Sequence, residues 1–205
     1  VQGWTFAIST DPLPTNSLSV ANTASIAIPT VGTATPYPAT INVANAQGTI
    51  SGMSVTLKGL SHTFSADLDI MLVSPSGAHA MLMSDVGAGS DFSNTDITFS
   101  MDALASMGPA ANASGTYLPT HPNIGDSMPA PAPVDNGVIG LAAFNGENPN
   151  GTWSLYAVDD LTGDSGSIAG GWELTFRGVT DQTCATEGYT GTKLTWCRNI
   201  CEMGY

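Results

Sequence analysis

Thirteen of the 205 residues are aspartate and only four are glutamate, so the acid of this chain sits on its shorter side chain. Aspartate is favoured in turns and in loops that hold hard cations, whereas glutamate suits helix surfaces. Asp67 and Asp69 stand two apart in "DLDIMLVS" (Asp67–Ser74), which reads as a strand, so both carboxylates share one face about 7 Å apart. "PSG" (Pro75–Gly77) is a tight turn and "AHAMLMS" (Ala78–Ser84) its returning partner. A turn centred on Pro75–Ser76 sets Asp67 opposite Ser84, with Asp85 beside it. Asp91 follows across "VGAGS", and Asp159, Asp160 and Asp164 form a second group. Two carboxylates at about 4 Å repel by about 4 kcal/mol at an effective dielectric of 20. With 4 Lys+Arg against 17 Asp+Glu, the chain is short of its own cations to offset this. Ca²⁺, which takes six to eight oxygens at about 2.4 Å, is the natural partner, and glycine-rich loops supply further carbonyls. The candidate calcium ligands are Asp67, Asp85, Asp91, Asp159, Asp160 and Asp164. The plainer reading is that these residues form turns and keep the surface soluble.

Two motifs point to hydrolysis and are outweighed. "GDSG" (Gly163–Gly166) matches the nucleophile stretch of trypsin-like proteases, but a triad also needs a His base and an orienting Asp. His62 lies in "LSHTF", a different setting, and Asp159–Ser167 reads as a loop between two strands, where Asp, Gly and Ser are turn formers. "GDS" at Gly125–Ser127 has no His after it, since the last is His121. No catalytic set is assigned, and no zinc spacing or phosphate-binding glycine loop is found. His62 is expected to bond a loop carbonyl in the shell of the fold, and His79 and His121 to be surface groups. "NAS" (Asn112–Ser114) and "NGT" (Asn150–Thr152) are glycosylation sequons, meaningful only in a eukaryotic host.

The elements that position these residues are short. Gly (23) and Pro (13) together make about 18% of the chain, which excludes long bundles and favours a turn-rich β protein. Beta runs are expected at Trp4–Ile8, Ala24–Pro29, Thr40–Asn45, Thr49–Leu60, Asp67–Ser74, Ala78–Ser84, Thr95–Ser100, Gly137–Phe144, Thr152–Asp159 and Gly171–Gly178. Residues Ala103–Val134 carry one charged side chain, Asp126, and six prolines, and "PAPAP" (Pro129–Pro133) is expected to be extended polyproline within a long surface loop. Trp153, Tyr156, Trp172 and Phe176 alternate in the late strands as core and cross-strand fillers. The fold class is therefore all-β, an antiparallel sandwich. Residues 1–23 read as a lead-in, 24–178 as the sandwich and 179–205 as a tail holding Cys184, Cys197 and Cys201. Cys197 and Cys201 sit one helical turn apart with poorly aimed Cβ vectors, so Cys184 with one of them is the better pairing. The tail is expected to be dispensable for the sandwich. The net charge of −13 argues against nucleic acid and anionic membranes as partners, no apolar run reaches a membrane span, and no leader is expected within the chain from Val1.

Four motifs carry a family resemblance. "GLSHTFSADLDIMLVSPSG" (Gly59–Gly77) and "NPNGTWSLYAVDDLTGDSGSIAGGWELTFRG" (Asn148–Gly178) resemble the start and end of the P domain, or Homo B domain, of kexin- and furin-type proprotein convertases. "LMSDVG" (Leu82–Gly87) and "TATPYPATINV" (Thr33–Val43) are similar to its bacterial members, as is "SGTY" with the proline-rich loop. The resemblance covers roughly Ala24–Gly178. It implies a jelly-roll β-sandwich of two antiparallel sheets and a non-catalytic accessory module of a secreted, extracellular protein. Such a module packs beside a subtilisin-like protease domain and assists its folding or stability. The tail resembles a short Cys-containing segment appended to bacterial secreted proteins. The alternative is an extracellular binding module that recognises a polymer or cell-surface ligand through its end loops. Exposed aromatics beside an acidic pocket would mark binding, whereas an apolar patch near the N-terminal lead-in would mark docking to a neighbouring domain.

Overall fold

The computed structural model describes residues 17–108, 113–122 and 128–181. Among them, twelve strands form two facing sheets. The first sheet has seven strands: β1 (Ser17–Asn22), β2 (Ile26–Ile28), β5 (Ala46–His62), β8 (Phe92–Ser100), β9 (Gly115–Tyr117), β11 (Gly166–Ile168) and β12 (Trp172–Asp181). The second has five: β3 (Gly32–Thr33), β4 (Ala39–Val43), β6 (Leu68–Val73), β7 (His79–Met83) and β10 (Gly151–Asp159). All pairings between these strands are antiparallel except β8 with β9. The 17-residue β5 is the spine of the first sheet, pairing with β12 and β11 on one side and β8 on the other. At Gly178 a register shift bends β12, and this glycine's φ of +77° is one that L side chains rarely adopt.

Period-two alternation explains the core. Ile41 and Val43 of β4, Met53, Val55 and Leu57 of β5, and Leu68, Ile70 and Leu72 of β6 all point between the sheets. Trp153 stacks edge-on against Phe144 at 5.3 Å and tilts against Phe176 at 5.3 Å, so the expected aromatic fillers occupy the centre. The intervening residues of the second sheet are buried as well. Met71, Met81, Tyr156 and Val158 form a separate apolar cluster with Met128, and Ala132 packs on it. The proline-rich segment thus lies as a strap over the outer face of this sheet. Tyr37 meets Tyr156 edge-on at 4.9 Å and donates its hydroxyl hydrogen to the carbonyl of Pro129 at 2.8 Å.

Several expectations are corrected. Ser17–Asn22, read as lead-in, is β1 and pairs along its length with β12, because Leu18 and Val20 pack on the core while Ser19 meets Thr175 hydroxyl to hydroxyl. The first sheet also extends past Gly178, since Val179 is fully buried. Within Gly137–Phe144, read as a strand, Leu141–Phe144 is one 3₁₀ turn. Leu141 and Phe144 are buried and the two alanines between them exposed, a spacing of three that suits a 3₁₀ turn and not a strand. "PAPAP" is not extended: the N–H of Ala132 bonds to the carbonyl of Pro129, closing a turn around a cis Ala130–Pro131 bond. The run Trp4–Ile8, the sequon at Asn112, Gly125–Ser127 and the Cys tail lie outside the described residues.

Candidate functional site: an acidic loop end around His62 and Asp159

β5, β6, β10 and β11 meet at one end of the sandwich. There β5 ends at His62, β10 ends at Asp159, and Ser65–Asp67 forms a single 3₁₀ turn leading into β6. His62 and Asp159 have fully buried side chains and meet at 3.1 Å, Nε2 to Oδ2. The other ring nitrogen, Nδ1, lies 2.8 Å from the carbonyl oxygen of Phe64. The expected loop carbonyl is therefore found. The carboxylate was not foreseen, because 97 residues separate it from His62. Asp159 also accepts the N–H of Leu161 through Oδ1. One buried pair thus joins the spine of the first sheet to the central strand of the second.

The acids gather around this pair. The N–H of Asp160 bonds to the carbonyl of Asp67, and Thr63 donates its hydroxyl hydrogen to Asp164 at 2.8 Å. Burial, followed by the charges of Asp159, Asp160 and Asp164, pushes the Asp67 carboxyl above the ordinary carboxylate range, while His62 pulls it down. Asp67 therefore belongs with the Asp159–Asp164 group and not with Asp85. The expected turn puts Ile70 opposite Met81; the turn as formed slips the ladder by one residue, so that Met71 meets Met81, and a bulge between Ile70 and Met71 adds a second, which sets Ile70 opposite Met83. Asp67 lies in the 3₁₀ turn ahead of the strand and outside this ladder, so strand alternation does not relate it to Asp69, which pairs with Val158. Asp85 lines a different cavity with Thr120 and Pro122, and Asp91 is exposed just before β8. Among the described residues, no three Asp, Glu, His or Cys side chains form a metal-binding group. The charge of the acidic end suits a hard cation, but its side chains are not gathered into a cage.

The "GDSG" loop is brought beside His62, since Gly166 pairs with it across β11 and β5. Ser165 itself is exposed on the loop. Both His62 nitrogens are engaged by oxygens, so neither is directed to Ser165 in the manner a nucleophile's base requires. Gly166 has a packing reason to be glycine: a Cβ there would sit 1.9 Å from the carbonyl oxygen of Ser61. In the second sequon, Asn150 donates to the carbonyl of Ala46 and to Asn148, and accepts from the N–H of Ala46, so its amide braces a turn.

Two arrangements escaped the sequence reading. His121, expected at the surface, is buried and meets Asp135 at 3.1 Å. His79 is half-buried, with ring nitrogens 3.2 Å from the carbonyl of Gly77 and 3.0 Å from that of Val134. Both histidines pin the strap region to the second sheet, and no local pattern marks either one.

No protein-family model matches the chain, and no curated protein matches it. Among solved structures, it is similar to the serine protease of Aeromonas sobria, in complex with the chaperone ORF2 (TM-score 0.40) and in a second structure of that protease (TM-score 0.38). In each case the identity is 19% over 81% of this chain and 26% of that chain. The chain thus spans about a quarter of the length of those protease chains.

Proposed function

We propose that the chain is a non-catalytic accessory module of a secreted protein that stabilises or assists a neighbouring domain, a subtilisin-like protease by the resemblance of its motifs. The observation that carries this reading is an exposed apolar pair. Met101 is half exposed and Leu104 fully exposed, just after β8. Asp102 between them forms an ion pair with Arg177, and Arg177 stands opposite Ser17, where β1 begins. The pair therefore lies at the same end of the first sheet as the start of β1, with β5 and β12 between them, within reach of a domain attached there. Exposed apolar groups so placed fit a surface that a neighbour covers. A sugar-stacking platform is poorly supported, since Trp153, Trp172 and Phe176 fill the core and Tyr156 lies beneath the strap. The engagement of both His62 nitrogens supports the non-catalytic part. Calcium binding at the acidic end belongs to the same proposal, and the carboxylates gathered around Asp67 support it.

The test is a Met101→Asp/Leu104→Asp double variant, made both in this chain and in the polypeptide that carries it. The chain alone should melt within about 1 °C of the parent, as expected for surface changes. In the larger polypeptide the variant should shorten the half-life of the neighbouring domain under proteolysis several-fold. An unchanged half-life would remove the basis for an accessory role.

A further inference from the structure

Of the eight methionines, all but Met203 lie within the described residues. Six of these seven are 7% exposed or less, and Met101 is 45% exposed. Its thioether is therefore the one among them that a solute in water meets directly. Met101 opens the turn that follows β8. Its side-chain end lies against Gly140, where an added Cβ would stand 3.0 Å from Sδ and 3.4 Å from Cε. Gly140 has a φ of +100° and no side chain to cover the sulfur. Ile139, the residue before it, is 44% exposed, so the apolar surface of Met101 and Leu104 continues onto the segment ahead of the Leu141–Phe144 turn. The nearby charges, Asp102 and Arg177, engage each other. The sulfur is thus a polarizable, oxidisable atom set in an otherwise inert apolar surface.

We propose that Met101 is a site of reversible oxidation by hydrogen peroxide, and that its sulfoxide releases the neighbour covering this surface. The release rests on the docking reading given above. A lone pair of Sδ attacks one peroxide oxygen, and the S–O bond forms as the O–O bond breaks. The sulfur is oxidised by two electrons and the peroxide is reduced. The proton of the transferred hydroxyl passes to the departing hydroxide, which leaves as water. A thiol-dependent methionine sulfoxide reductase reverses the change. The sulfoxide oxygen is polar and hydrated while the surface is open. Leu104 and Ile139 offer it no donor, so a neighbour settling on them strands a polar group without water. The oxidant reaches the sulfur while the neighbour is off the surface, and the sulfoxide keeps it off.

The first measurement treats the full chain with millimolar hydrogen peroxide and follows each methionine by peptide mass spectrometry. Met101 should gain one oxygen about tenfold or more faster than any of the six buried methionines. The oxidised chain should melt within about 1 °C of the untreated one, as expected for a surface change. The second measurement uses the polypeptide that carries the chain. Peroxide should shorten the half-life of the neighbouring domain under proteolysis several-fold, and the reductase should restore it. Met101→Leu keeps the apolar bulk without the sulfur. Compared with its own untreated sample, that variant should show no peroxide effect on the half-life. A rate at Met101 no faster than at the buried methionines would overturn the site. A peroxide effect that persists in Met101→Leu, or none in the parent, would overturn the release. The docking reading fails by a different result, an unchanged half-life in Met101→Asp/Leu104→Asp, which would leave oxidation nothing to release.

Discussion

Asp67 is the residue at which burial and charge conflict most plainly. The residue is 6% exposed, and its carboxyl is pushed above the ordinary carboxylate range by burial and by three neighbouring acids. A carboxyl whose folded pKa is raised favours the fold below its unfolded pKa, near 3.9, and loses that contribution as pH rises through the folded value. At neutral pH, Asp67 therefore works against stability. Asp67→Asn should raise Tm at pH 7 in the presence of a chelator, and the gain should fade below about pH 4. If calcium holds the acidic end, excess Ca²⁺ should stabilise the parent by about 2.7 kcal/mol at a hundredfold excess over Kd, and Asp67→Asn by less. Melting curves in chelator and in calcium, for both proteins, check both statements. Superimposable parent curves would remove calcium from the proposal.

At the scale of elements, the strap is a proline-rich segment held by side chains from distant strands. Tyr37 sits between two prolines and bonds the Pro129 carbonyl, while the Tyr156 hydroxyl approaches that of Pro131 at 3.5 Å. Burial, with Tyr156 adding to it, pushes the Tyr37 hydroxyl from 10.0 up to about 12. Tyr37→Phe should lower stability by about 1 kcal/mol, the worth of one intramolecular hydrogen bond, read by denaturant midpoint near pH 7. The raised pKa favours the fold while the unfolded tyrosine is neutral. That advantage disappears between about pH 10 and pH 12. Over that interval the parent should lose its lead over Tyr37→Phe. An equal midpoint at pH 7 would mean that the hydroxyl does not hold the strap.

For the whole molecule, the decisive boundary is the end of β12. Val179 is fully buried, and Val179, Thr180 and Asp181 pair with Gly48, Gln47 and Ala46 beyond the Gly178 bulge. A chain ending at Gly178 loses that valine and three ladder positions. It should be about 2 kcal/mol or more less stable than the full chain, in line with burying one Val side chain. A chain ending at Asp181 keeps both features and should stay within about 1 kcal/mol. Urea unfolding of the two truncations separates them. Equal stabilities would mean that β12 closes the core at Phe176.

What the residues determined by themselves is whatever depends on neighbours two apart. Alternation in "TINV", "MSVTL" and "LDIML" is a property of the strand backbone, so the all-β class and the inward faces of β4, β5 and β6 follow from local pattern. Short apolar segments pairing through turns leave two packed sheets as the outcome. The tertiary structure decided what depends on register and on distant partners. Asp67 falls in a 3₁₀ turn ahead of β6, and the pairing of β6 with β10 brings it into the company of Asp159, Asp160 and Asp164. The turn and one bulge together slip β6 against β7 by two residues, which leaves the alternation intact, so pattern does not detect it. His62 met Asp159, and Tyr37 met the strap, across 97 and 92 residues respectively. Such pairs form because the closing sandwich brings strand ends together and a buried polar group must find its bond there, and no local signal in the chain carries that information.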